Sequence, residues 1–238
     1  MLNILFRGSD NVKIAIHQPN YIPWIGFFDK LDQVDKFVLL DTAYHSKSGF
    51  LNRNKIKTPQ GEFIVTVPIK NKNIPINEIQ IANNSNWQIS QWKTIEVNYK
   101  KCPYWSDYGN GFEQIYRNKW DKIATLNIAL IEHIKSLLNI TTELLLESDF
   151  QIDFGNKNAR NVNITSYLNG DVYLSGTGAQ VYNDRSEFEA QQIQLVYQNF
   201  KHPIYPQRWG DFQPNLSIID MLFNCGPETI EILRKQRH

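Results

Sequence analysis

Residues 13–41 read KIAIHQPNYIPWIGFFDKLDQVDKFVLLD, and this stretch decides the fold. Lys13–Ile16 is a short apolar run that stops at His17, the mark of a buried strand. HQPNYIPWIG follows, and its prolines at 19 and 23 force a loop or a broken helix start. Apolar residues at 24, 27, 28, 31 and 34 then form a helical stripe. Lys36–Leu40 is a second strand, ending at Asp41. The about 18 residues between the strands hold a helix and are long enough for a crossover, which makes the two strands parallel.

Working outward, residues 42–60 are polar and basic, and Glu62–Ile69 reads as a third strand. Residues 70–85 are rich in Asn and Ile, with scope for short strands. The period then changes, and helices are expected over Trp87–Tyr99, Tyr108–Lys119 and Asp121–Asn139. A strand can start at Glu143–Leu146, a helix at Asn158–Leu168, and strands at Asp171–Leu174 and Gln194–Tyr197. Ser186–Gln191 is a short helix or turn, and Asn215–Asn224 a helix closed by Gly226. The expectation is an α/β fold: a largely parallel central sheet flanked by helices, with a helical insertion at about 85–140. Residues 1–12 read as a loose extension and 13–238 as one domain.

Of the 238 residues, 42% are hydrophobic, enough for a core and too many for a disordered chain. The formal charge of +1 gives no basic face of the kind duplex nucleic acid needs. Cys102 and Cys225 are too few for a disulfide framework and show no zinc spacing, so two reduced thiols and no structural metal are expected. No apolar run is long enough for a membrane helix and no signal peptide is evident, which points to a cytoplasmic protein without membrane insertion.

Four segments carry candidate chemistry. His17, Gln18, Asn20 and Tyr21 leave the carboxyl end of the first strand, where ligands bind in open α/β sheets; the alternative is a stiff turn satisfying its own backbone. Asn52, Arg53 and Lys55 lie in a basic stretch with Lys57. Arg53, Lys55 and Lys57 share a face if extended, suited to the diphosphate of a nucleotide-sugar or to a solvated loop. Ser175 and Gly176, followed by Thr177 and Gly178, form a small-residue turn after a strand, without a phosphate-loop lysine or a nucleophile elbow. It either offers amides to an anion or is an ordinary turn. His202, Tyr205 and Gln207 lie in a second proline-stiffened segment. Histidine is the usual base near neutral pH, so His17 and His202 are the catalytic candidates, with a structural hydrogen bond as competitor. Asp41, at a strand end, is a binding candidate; Asp220, among apolar residues, reads as structural. The expectation is that His17, Gln18, Tyr21, Asn52, Arg53, Ser175, His202, Tyr205 and Gln207 share one cleft.

HQPNYIPWIGFFDKL resembles the opening signature of the WbqC-like protein family. The likeness continues through FVLLD at 37–41 and NRNKIKTPQG at 52–61. It resumes in YLSG at 173–176 and HPIYPQ at 202–207, then Phe212, NLS at 215–217, Asp220 and NCG at 224–226. Residues 45–50 are less basic and aromatic than the family pattern, and Thr177-Gly178 stands where Pro-Ser is common. The resemblance implies a role in bacterial surface-polysaccharide (O-antigen) assembly. The reaction it implies is acyl or aminoacyl transfer, such as glycyl, to the amine of a nucleotide-linked amino sugar, with an activated acyl donor as co-substrate and aminoacyl-tRNA one source left open. Two other readings stay open: a nucleotidylyltransferase-like enzyme, and a non-catalytic nucleotide-sugar or glycan-binding module.

Overall fold

The structure is a computed structural model that describes residues 11–44, 49–71, 73–181 and 183–237. Residues 1–10, His45, Lys47, Tyr182 and His238 lie outside these, so the expected loose start and the departure at 45–48 do too.

Strand β1 (Lys13–His17) leads through helix α1 (Ile25–Leu31) to β2 (Lys36–Leu39), and the two strands are parallel, with Ala15 opposite Phe37. Trp24 enters the helix with extended backbone. Its ring lies where a Cβ on Gly26 would come within 2.4 Å, so only glycine fits there. β2 also pairs with β5 (Glu143–Leu146), while β1 takes β6 (Val172–Ser175) on its other side, and β6 takes β7 (Gln194–Tyr197), all parallel. The sheet order is β5-β2-β1-β6-β7. The chain thus builds outward from β1 in one direction, returns, and builds in the other. The reversal falls between β1 and β6.

Alternation along the strands feeds two cores. Ala15, Phe37, Leu39 and Leu174 face α1, α7 (Ile218–Cys225) and α4 (Ile123–Leu137). Ile14, Ile16, Val38 and Tyr173 face α5 (Lys157–Tyr167) and α6 (Arg185–Ala190). The fold is α/β with a parallel sheet flanked by helices. Helices α2 (Trp87–Tyr99), α3 (Trp105–Arg117) and α4 fill the middle of the chain, as the periodicity predicts.

Two features depart from the sequence reading. The polar stretch 42–60 contains a strand, β3 (Arg53–Thr58), which pairs antiparallel with β4 (Gly61–Thr66) in a separate two-stranded sheet. Asn54, Ile56 and Thr58 turn inward there, and Gly61 takes the turn at φ +102°. Beyond Gly226, α8 (Glu228–Lys235) packs on α1 and α7; this helix was not anticipated. Arg237 pairs with Asp29, and Arg234 with Asp32.

Asp220 is wholly buried in α7 and accepts hydrogen bonds from Tyr99 and Tyr205, each at 2.9 Å. Burial pushes its carboxyl up to about 6. Asp220→Asn keeps one acceptor and brings in an amide with no place to donate. It is expected to lower unfolding free energy by about 1–3 kcal/mol in urea titration; an unchanged midpoint would show that the two tyrosines do not depend on it. Cys102 and Cys225 are free and buried. Among the described residues, no helix is long and apolar enough to cross a membrane.

Candidate functional site

The crevice where an open α/β sheet reverses direction is its usual ligand site. Here a pocket of about 470 Å³ lies at the carboxyl ends of β1 and β6, walled by Trp24, Phe27, Tyr173 and Phe200. Its polar lining comes from His17, Lys30, Asn161, Gln198 and the turn Ser175–Ala179. A larger concavity of about 720 Å³ sits on the opposite edge, around Lys13 and Asp35. Its charges are already partnered: Asp35 accepts from the Lys13 amide and Arg234 is bound to Asp32.

His17 closes β1 with its ring against Phe27, edge to face at 5.0 Å. Its Nδ1 stands 2.9 Å from the Gln18 carbonyl oxygen. A carbonyl only accepts, so Nδ1 carries the hydrogen and Nε2 keeps its lone pair. Burial, and then the charge of Lys30, push the imidazole down to about 3, so it is neutral at physiological pH.

Lys30 is 3% exposed, and its Nζ donates to the Ile16 carbonyl at 3.1 Å. Burial lowers its pKa to about 7. The neighbouring acid, Asp29, is taken by Arg237, Gln33 and Gln198. Gln198 also holds the Gly26 carbonyl, fixing α1 against β7. Ser175 is 2% exposed and its hydroxyl accepts from Asn183, so it is a wall and not a free nucleophile. Beyond it, a Cβ on Gly176 or Gly178 would meet no atom within 4 Å.

The other predicted residues fall elsewhere. His202 is held at both nitrogens: Nδ1 donates to the Pro203 carbonyl and Nε2 accepts from the Asn215 amide. Its ring stands 6.0 Å from Phe200, one layer behind the pocket wall. Tyr205 is buried on Asp220, and Gln207 accepts from Lys57, which is itself buried. Tyr21 is buried on Gln91 and Tyr116, and Asn20 is buried beside it. Gln18 donates to the Tyr44 carbonyl, and Asn52 to that of Val67. Both carboxylate oxygens of Asp41 accept from Ser148. Lys55 pairs with Glu62 at 2.6 Å across the hairpin, and Arg53 is exposed on the same strand. Of the expected cleft, His17 and Ser175 line the pocket, with Gly176 beside them. Lys30 and Gln198 were missed. The signal for Lys30 is that all seven residues of α1 are buried, which the flanking strands and the aromatic run foreshadow.

A doubly wound α/β protein with a histidine–lysine pocket at its switch point is the class that fold and site define. The chain belongs to the WbqC-like protein family, whose model matches residues 18–232. It is 33% identical over 226 residues to Uncharacterized protein Rv1507c of Mycobacterium tuberculosis, covering 93% of this chain and 97% of that relative. No solved structure matches.

Proposed function

We propose that this chain transfers an acyl or aminoacyl group from an activated donor to the amine of a nucleotide-linked amino sugar in surface-polysaccharide assembly, with the switch-point pocket as its site. The family supports the pathway. The observation that carries the chemistry is the unengaged Nε2 of His17, facing the pocket with its tautomer fixed by Gln18. The sugar amine attacks the donor carbonyl and a C–N bond forms. Nε2 takes the proton the nitrogen loses, and the donor's leaving group departs as the carbonyl reforms. Backbone amides of the Gly176–Gly178 turn face the oxyanion of the intermediate. Incubation with a panel of nucleotide-linked amino sugars and activated acyl or aminoacyl donors, read by mass spectrometry, tests this. A product heavier by the acyl group supports it; binding without a mass change assigns a binding module instead.

A second reading, nucleotidylyl transfer, is favoured by one observation. Numbered within the sheet, the strand order is 3-2-1-4-5, that of mononucleotide-binding folds. Pyrophosphate release from a nucleoside triphosphate with Mg²⁺ would select it.

The turn offers a mild test of the pocket itself. Gly178→Val places its side chain in open space, so the melting temperature is expected to hold while nucleotide-sugar binding by calorimetry weakens by about tenfold or more. Undiminished binding would move the ligand off this turn. Arg53→Ala, outside the pocket lining, is expected to change affinity by less than about 0.5 kcal/mol, the scale of a solvated surface charge.

A further inference from the structure

We infer that Lys30 is the anion-holding residue of this protein: its Nζ seats an oxyanion of the ligand inside the β1/β6 crevice, and binding is coupled to uptake of a proton. The inference deepens the reading above and rests on it only in taking the switch-point pocket as the ligand site.

Four observations carry it. Lys30 is buried yet lines the pocket, so whatever enters meets its ammonium group. Its only hydrogen bond goes to the Ile16 carbonyl, which leaves two of three N–H donors for a ligand. No acid lines the pocket among the described residues. The groups around it do not supply a counter-charge either. From β1 comes the neutral His17; from β2 the Phe37 ring, 5.5 Å from Nζ. From its own helix comes Asp29, already held by Arg237 beyond α8 and by Gln198 after β7. A buried ammonium without a partner is costly, so a protein relieves it by partial deprotonation or by a ligand. Burial alone brings this lysine to about 7, where both forms are populated. An arriving phosphoryl or carboxylate oxygen supplies the missing partner and favours the ammonium form, so a proton is taken up on binding near neutral pH. The hairpin cations do not fill this role, because Lys55 is neutralised by Glu62.

The test is calorimetry on the full chain at pH 7.5 in two buffers of different ionisation enthalpy. UDP-glucose serves as a phosphodiester probe that does not itself titrate there, and acetate as a carboxylate probe. The expected result is a fractional proton taken up with UDP-glucose and affinity that falls as pH is raised to 9. Lys30→Met should bind about tenfold to a hundredfold more weakly. Lys30→Arg, charged at every pH used, should bind without proton uptake. Uptake with acetate alone would assign the oxyanion to a carboxylate of the donor. No uptake with either probe, or binding unchanged in Lys30→Met, overturns the inference; the wild-type linkage decides even if a variant fails to fold. Turnover plays no part in this readout, so acyl transfer can fail while the anion seat stands, and the reverse.

Discussion

His17→Ala is expected to lower acyl-transfer turnover by about 10²–10⁴-fold, the usual contribution of a positioned general base, while the protein still folds. The residue sits at the last position of a central strand, where its backbone remains in register with Leu39 whatever the side chain. Its ring makes one hydrogen bond, to the next residue's carbonyl, so truncation strands little else. Its low proton affinity in the empty pocket is an asset for this step: it stays unprotonated, and a negative ligand beside it raises that affinity when the proton must move. His202→Ala should behave oppositely. It removes the acceptor of the Asn215 amide and the donor to Pro203, so it should cost about 1–3 kcal/mol of stability with a modest effect on turnover. Single-turnover rates and urea unfolding of both variants separate the roles. If His17→Ala keeps full turnover, the base lies elsewhere and this assignment is abandoned.

The second large effect concerns Lys30 and pH. The lysine is brought to about 7 in the folded chain against an ordinary 10.5. Between those values the unfolded chain binds the proton and the folded chain releases it. Stability therefore rises with pH across the window, by about 1.4 kcal/mol per pH unit and about 5 kcal/mol in all. Below about 7 the full burial cost is present in the native state. Lys30→Met keeps the apolar stem and removes the charge, so its unfolding free energy lacks this slope. Wild type minus variant, measured by denaturant unfolding from pH 6.5 to 9.5, should climb steadily from pH 7 upward. A flat difference would mean that water reaches Nζ and that Lys30 behaves as a surface lysine.

The residues that announce the fold are those whose neighbours are local. KIAI and KFVLL mark β1 and β2 by apolar content alone, and their separation dictates a parallel pair. The helices of the insertion follow from their period. The strand Arg53–Thr58 stays hidden because RNKIKT carries three cations, and only its pairing with Gly61–Thr66 shows that Asn54 and Ile56 are the inward set. Within the site, His17 is legible because a polar residue ending a buried strand has few other uses. Lys30 is not: on a helix it reads as solvent-facing, and its burial is imposed by α7 and α8, which lie some two hundred positions away. His202 presents the reverse case. A histidine in a proline-rich loop looks free until the Asn215 amide, thirteen residues on, is seen on its Nε2.

The segment after His17 is fastened by residues remote in sequence. Asn127 binds the Pro19 carbonyl, Asn54 those of Tyr21 and Ile22, and Ser217 that of Ile22, while the Tyr21 amide donates to Phe50. Ile22 is held there at φ +33°, a conformation a β-branched residue does not choose alone. These fastenings come from the hairpin, the insertion and the last third of the chain, so the segment cannot assume its shape until all three have docked. Long-range closures of this kind are completed late in folding. Once made, they leave no local way out. The Tyr21 amide should exchange with deuterium only through the highest-energy openings of the molecule, on a level with the central strands. The binding loop then meets its ligand already ordered, and its freedom is surrendered during folding and not during recognition.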